Sequence, residues 1–191
     1  MRREWKERAA ARICREAGAT VSTNVLVRDL NTHTTQHDDR RIEVIANGLP
    51  LWNGCQIAVD TTLVSPSTAA GQPRRHQGST AAAPLRIARR AKTRTYPELT
   101  GAGRARLVVL GIETGGTLER RSSDLHPASG KMANHKASSS TPPSLRRSAA
   151  LAWTSRWTAL LATAAIRSFA CSLLMLPASA STNVDGPPPP G

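Results

Sequence analysis

The sequence is poor in aromatic residues, which make up 3% of its 191 residues and include a single Phe and a single Tyr. Apolar residues reach 39%, below the roughly 45–50% of typical globular domains. This composition supports one modest core and excludes a chain that is packed from end to end. The length allows one ordinary domain with tails.

Cysteine is also scarce. Cys14, Cys55 and Cys171 are widely separated, and no two of them form a C-x-x-C pair. An odd and scattered set excludes a disulfide framework and a zinc knuckle. We therefore predict reduced thiols, no disulfide, and an intracellular location in the nucleus or the cytoplasm.

Acidic residues are half as frequent as basic ones, since 13 Asp and Glu face 26 Lys and Arg and leave a net charge of +13. Such a balance predicts attraction to polyanions and says nothing about the fold. The excess is concentrated between Arg74 and Arg106, where nine basic residues accompany only one acid. No recognition-helix pattern accompanies the charge, so the predicted partner is DNA, bound largely independently of sequence. No small-molecule substrate is evident.

The first 18 residues contain no apolar run of signal-peptide length, which predicts that the protein is not secreted. Residues 149–176 resemble a membrane segment, but Arg156 and Arg167 interrupt them. Each arginine costs a few kcal/mol at a bilayer centre. Association with a membrane through this segment is therefore the disfavoured alternative.

Hydrophobic periodicity predicts an α/β core over residues 1–116. Helical spacing covers residues 4–17. Alternating patterns predict strands at 20–29, 41–48 and 56–65, and a continuous apolar run predicts a buried strand within 104–116. Between the third and fourth strands, Pro84 opens a helix that continues towards Pro97.

Beyond residue 116 the pattern weakens. Residues 117–144 are rich in Ser, Pro and charge, which predicts a disordered linker. Residues 145–177 predict an amphipathic helix, and residues 178–191 a disordered, Pro-rich tail. One stripe of the predicted helix consists of Trp153, Trp157, Leu160, Ala164, Cys171 and Met175.

Two acids stand in the predicted middle strands. Glu43 points away from Ile42 and Val44, and Asp60 points away from Val59 and its apolar neighbours. If these strands pair as a hairpin, the two carboxylates share one face and could bind Mg²⁺, which takes one or two carboxylates together with water and phosphate. The plainer alternative is a solvated face of the sheet.

Lys92 strengthens the hypothesis of a site. Steps of three and four residues place it with Leu85 and Tyr96 on the face of the predicted helix that meets the sheet. An inward ammonium needs a partner such as Asp60 or Glu43, unless it reaches solvent at the helix edge. The candidate phosphate-binding residues are Arg86, Arg89, Arg90 and Arg94.

The order helix, three strands, helix, strand is that of restriction-endonuclease-like nucleases. Those enzymes carry an acid on the second strand and a D/E-x-K motif on the third. Here the third strand reads Asp60-Thr61-Thr62, so the lysine is missing from its usual place. Lys92 could replace it from the helix.

A closer resemblance rests on several long segments. These are CREAGATV, RRIEVIANGLPLWNGCQIAVDTTLVSP, RTYPELTGAGRARLVVLGIETGG and RWTALLATAAIRSFACSLLMLP. They resemble the C-terminal, endonuclease-like region of protist non-LTR retrotransposon polyproteins. The resemblance implies strand acids at Glu43 and Asp60, and places Lys92 and Tyr96 at a lysine and a tyrosine of that family.

The sequence also departs from that family. No polymerase segment precedes the matching residues, and a polar stretch stands between Gly116 and Pro142 where the family has an apolar helix. Compensating frameshifts would leave such a stretch. The resemblance therefore implies a truncated, partly frameshifted fragment, and a degenerate Mg²⁺-dependent DNA endonuclease-like module with Glu43, Asp60 and Lys92 as its catalytic residues. The runner-up is a non-catalytic, basic nucleic-acid-binding remnant.

Overall fold

The computed structural model describes residues 4–30, 32, 34, 37–65, 83–101, 104–113 and 125–174. The first part of the chain forms α1 (Glu4–Glu16), β1 (Thr20–Leu26), β2 (Arg41–Asn47), β3 (Gln56–Val64), α2 (Ala83–Thr95), α3 (Glu98–Gly101) and β4 (Ala105–Glu113). Two further helices follow, α4 (Leu125–Ser140) and α5 (Arg146–Leu174). The predicted order of helices and strands up to β4 is confirmed, with the short α3 added before the last strand.

The four strands form one mixed sheet in the order β1-β2-β3-β4. β1 pairs with β2 and β2 with β3 in the antiparallel sense, whereas β3 and β4 are parallel. The hairpin predicted between the second and third strands is therefore present. Parallel neighbours need a crossover connection, and α2 lies in the crossover between β3 and β4.

Each face of the sheet is covered by helices. α1, α4 and α5 pack on one face, over a core that includes Val44, Val59 and Leu110. α2 and α3 cover the other face, over Ala58 and Val109. Because β4 is covered on both faces, its residues 107–112 are buried throughout, as its continuous apolar run predicts.

The prediction of disorder over residues 117–144 is wrong for the part that the structure describes, because residues 125–140 form α4. Met132, Ala133 and Ala137 are buried against α5 and the core. Alanine side chains allow helices to approach closely, so a segment with few apolar residues can still bury a narrow face. Residues 117–124 and the predicted tail 178–191 lie outside the described residues.

The predicted C-terminal helix is confirmed as α5, and its stripe is confirmed in part. Trp157 and Ala164 are buried, Trp153, Leu160 and Cys171 are half-buried, and Met175 lies outside the described residues. Arg156 and Arg167 face solvent. Across the described ranges, no helix has the length and apolar character needed to cross a membrane.

Glu16 holds α1 and α5 together. Its carboxylate accepts hydrogen bonds from Arg156 Nη2 at 2.8 Å, from Trp157 Nε1 at 3.0 Å and from Arg12 Nε at 3.0 Å. The Trp157 side chain is 1% exposed, so without Glu16 its N–H would be a buried donor with no acceptor. The bonds from Arg156 above all hold the pKa of Glu16 at about 2, below its usual 4.5.

We predict that Glu16→Gln lowers the free energy of unfolding by on the order of 2 kcal/mol at pH 7, because a charged acceptor is lost. A lowered pKa in the folded state stabilises the protein above pH 4.5, and this contribution disappears as the pH falls through about 2. Urea unfolding between pH 7 and pH 2 should therefore show wild type and variant converging.

The control for this prediction is Glu4→Gln. Glu4 lies 3.8 Å from Arg8 in an exposed pair on the same helix, and such pairs contribute little. A Glu16→Gln variant as stable at pH 7 as the Glu4→Gln control would show that Glu16 does not anchor α5.

Candidate nuclease-like site

α2 approaches the sheet closely because Gly111 lies beneath it. A Cβ atom at position 111 would lie 2.8 Å from Cδ2 of Leu85, closer than carbon atoms can pack. Leu85 is fully buried on the sheet-facing side of α2. The glycine in β4 therefore leaves room for the Leu85 side chain between the helix and the strand beneath it.

The other end of α2 is held by Arg40 and Tyr96. Arg40 donates to the Thr95 carbonyl at the end of the helix and pairs with Asp38 and Glu98. Hydrogen bonding to Asp38 raises the pKa of Arg40, and the same contact lowers the pKa of Asp38. The Tyr96 hydroxyl donates to the Arg41 carbonyl at 2.9 Å. These contacts fix α2 relative to the start of β2.

The helix held in this way places Lys92 against Asp60. Lys92 Nζ lies 2.8 Å from Asp60 Oδ2. The Asp60 side chain is 3% exposed and that of Lys92 is 33% exposed, so the ammonium reaches towards solvent while the carboxylate does not. An unpaired carboxylate so deep in a sheet would be strongly destabilising. The predicted inward orientation of Lys92 is confirmed.

Glu43 lies beside Asp60 at the place where β2 and β3 separate. Their paired residues end at Val44 and Val59, which are the neighbours of Glu43 and Asp60 in the two strands. Glu43 Oε2 accepts the Thr61 backbone N–H at 2.8 Å and also the Thr61 hydroxyl. The carboxylate thus takes the place of a strand-to-strand hydrogen bond.

The charge state of Glu43 reflects this position. Burial raises its pKa above the usual 4.5, although the bonds from Thr61 lower it, and the nearby Asp60 charge raises it further. The positive charge of Lys6 acts in the opposite direction. Repulsion by Asp60 shows that the two acids are electrostatic neighbours.

Lys6 is the member of this group that sequence reasoning missed. It belongs to α1, on the opposite face of the sheet from Lys92, and it is 7% exposed. Asp60 is paired with Lys92 from the α2 side, and the charge of Lys6 on α1 lowers the pKa of Glu43. Lys6 lies within a basic and alanine-rich helix, where the signal of a buried lysine is hidden among exposed charges.

The four predicted phosphate-binding residues line one side of α2. Arg86, Arg90 and Arg94 are exposed, and Arg89 is half-buried. Together with Thr93 they enclose a shallow groove of about 420 Å³, which we call the arginine groove. It runs on the outward side of the helix that carries Lys92.

The carboxylates offer a small and hard ligand set. Across the residues that the structure describes, no cluster of three or more His, Cys, Asp or Glu could hold a metal ion. Asp60 Oδ2 is buried and accepts no hydrogen bond. Its contact with Lys92 Nζ at 2.8 Å is an ion pair whose angles do not suit a hydrogen bond. Two carboxylates form a smaller ligand set than such a cluster, and an Mg²⁺ ion bound by them would need water and phosphate oxygens to complete its shell.

None of the three cysteines, all of which the structure describes, forms a disulfide, and burial raises the pKa of the Cys14 thiol to about 12. No protein-family model matches the chain, and no curated protein matches it significantly. Any assignment of function to this chain therefore rests on the geometry of the site.

We predict that Glu43→Gln stabilises the protein at pH 7 and has little effect at pH 4. Because the folded-state pKa of Glu43 is raised, its ionisation opposes folding as the pH rises above 4.5. The difference in urea midpoint between variant and wild type should increase from pH 4 to pH 7. The matched control is Asp39→Asn, which removes an exposed carboxylate. A difference that stays constant with pH would contradict the assignment.

Proposed function

We propose that this chain is an endonuclease-like module that binds DNA through the arginine groove and cleaves it with Mg²⁺ at Glu43, Asp60 and Lys92. The observation that carries the proposal is the 2.8 Å contact between Lys92 and the buried Asp60. It brings together an acid on the third strand and a lysine, as the restriction-endonuclease-like order requires. The resemblance to retrotransposon endonuclease-like regions supports the same function.

Each residue has a distinct role in this proposal. Glu43 and Asp60 would hold Mg²⁺, which when bound supplies Lewis-acid activation of a water and of the scissile phosphate. Lys92 would stabilise the negative charge that develops on the attacking oxygen and on the phosphate. Water would add to phosphorus and lose a proton to solvent, the bond to the leaving oxygen would break, and that oxygen would take a proton from solvent.

The second candidate is a non-catalytic nucleic-acid-binding remnant. One observation favours it: both acids already have partners within the protein, since Asp60 is paired with Lys92 and Glu43 accepts hydrogen bonds from Thr61. In that case Asp60 and Lys92 form only a structural ion pair. The arginine groove would serve both functions equally.

We predict divalent-dependent nicking of supercoiled plasmid that falls by on the order of 100-fold in Asp60→Asn, because the metal-binding charge is lost. The matched control is Asp39→Asn, which should nick as wild type does. DNA affinity should change little in Asp60→Asn. Tight DNA binding without any nicking by the wild type would exclude the nuclease and leave the binding remnant.

The binding surface is controlled separately, through the salt dependence of duplex affinity. Each phosphate contact contributes a slope of roughly 0.9 in log K against log salt. Replacing Arg86, Arg90 and Arg94 together with Gln should flatten the slope by about two to three, whereas Asp60→Asn should leave it unchanged. An unaltered slope in the triple variant would show that the arginine groove does not contact DNA.

A further inference from the structure

A second concave site lies at the end of the sheet where β3 and β4 begin. It is a cleft of about 510 Å³, within the roughly 300–1,000 Å³ usual for small-molecule sites. We call it the Trp52 cleft. Its walls include Trp52, Arg89 and Arg106, and its floor Leu99, Leu107 and Val109.

The walls of the cleft are cationic and its floor is apolar. Arg89 enters from α2, and Arg106 enters from the start of β4. Among the residues found to line the cleft there is no Asp or Glu. The site therefore combines positive charge with an apolar surface, which suits a ligand that carries both an anionic group and a flat ring.

Arg106 is held in place by Trp52. Its guanidinium carbon lies 4.9 Å from the centroid of the Trp52 ring, a cation–π contact that orients the side chain. Trp52 is half-buried and packs against the core on the α1 side of the sheet. The aromatic ring therefore serves as a fixed support for a cation at the mouth of the cleft.

The backbone that presents Trp52 is strained. Trp52 has φ of +47° and Asn53 has φ of +60°, a left-handed conformation that bulky side chains rarely adopt. Gly54 continues it with φ of +76°. Successive residues of this kind persist where the surrounding structure enforces them, often at binding sites.

The cleft and the arginine groove adjoin each other. Arg89 and Thr93 line both of them. A nucleic-acid strand with its phosphates along the groove would thus reach the cleft without leaving the surface of α2. Grooves that track phosphates and pockets that take bases are the two parts of single-strand binding sites.

We propose that the Trp52 cleft receives one unpaired nucleotide base from a strand whose phosphates lie along the arginine groove. The base lies on the apolar floor, and its own phosphate lies between Arg89 and Arg106. A base within a duplex is stacked and paired and cannot enter, so the cleft favours single strands or frayed ends. The proposal rests on the nucleic-acid binding proposed above.

Cys55 provides the test, because it is half-buried and lines the cleft. The full chain is alkylated with iodoacetamide, and the rate at each cysteine is followed by mass spectrometry. A saturating oligothymidine single strand should slow the reaction of Cys55 by roughly fivefold or more, as expected for a base held by about 1 kcal/mol or more. A duplex of equal length and equal occupancy should not.

Cys171 is the internal control, since it is half-buried on α5, on the other side of the sheet. Its rate should be the same with and without nucleic acid. A saturating single strand that leaves Cys55 as reactive as before would overturn the cleft while leaving DNA binding intact.

A thymidine monophosphate arm separates the two proposals. If the chain binds no DNA, the function proposed above fails, and the mononucleotide still tests the cleft directly. Protection of Cys55 by the mononucleotide would then retain the cleft as a nucleotide site, whereas absence of protection would overturn it.

A variant pair gives an independent readout. Arg106→Gln removes a cation from the cleft, and Arg94→Gln removes one from the groove alone. We expect Arg106→Gln to lower the ratio of single-strand to duplex affinity by about threefold or more. Arg94→Gln should weaken both affinities alike and keep the ratio. Equal ratios in the two variants would contradict the proposal.

Discussion

A carboxylate buried in the middle of a β-sheet must find a positive partner, and this requirement links the fold of the chain to its candidate site. Asp60 is 2% exposed on β3, and Lys92 meets it from the helix above. The contact depends on how closely and at what angle α2 crosses the sheet. Gly111 leaves room for the Leu85 side chain between α2 and β4. The contacts of Arg40 and Tyr96 fix the far end of the helix.

The two faces of the sheet have different roles. On the α1 side, large apolar side chains and the Glu16 contacts to α5 provide most of the core. On the α2 side lie the arginine groove and the Asp60–Lys92 pair, and the Trp52 cleft lies where β3 and β4 begin. Glu43 lies between the two sides, since Thr61 binds it and Lys6 on α1 acts on its pKa.

The sequence was informative where periodicity alone determines geometry. Alternation in β2 and β3 predicted the two strands and placed their acids, and three- and four-residue steps along α2 predicted that Lys92 points inward. Periodicity does not predict which residues far apart in the chain will be in contact. The bond from Arg156 to Glu16 spans 140 residues, and the approach of Lys6 to Glu43 depends on how α1 crosses the sheet.

The wrong prediction has a specific cause. Residues 125–140 contain few apolar residues, and composition therefore predicted disorder, yet Met132, Ala133 and Ala137 suffice to bury one narrow face against α5. Composition averages over a segment, whereas packing depends on which few positions meet a neighbour. The sequence also did not predict the strained Trp52–Asn53 turn, because neither residue type favours the left-handed region strongly enough.

The dependence of the fold on the Asp60–Lys92 pair is tested most directly by the stability of a variant in which both residues are replaced. Breaking a buried ion pair by removing one partner leaves an uncompensated charge, whereas replacing both with apolar residues is often neutral or stabilising. We predict that Lys92→Met lowers the free energy of unfolding by about 2–4 kcal/mol in urea at pH 7. Adding Asp60→Leu to it should restore the stability to that of the wild type or above. A double variant as unstable as Lys92→Met alone would show that the fold does not depend on the charge balance between Asp60 and Lys92.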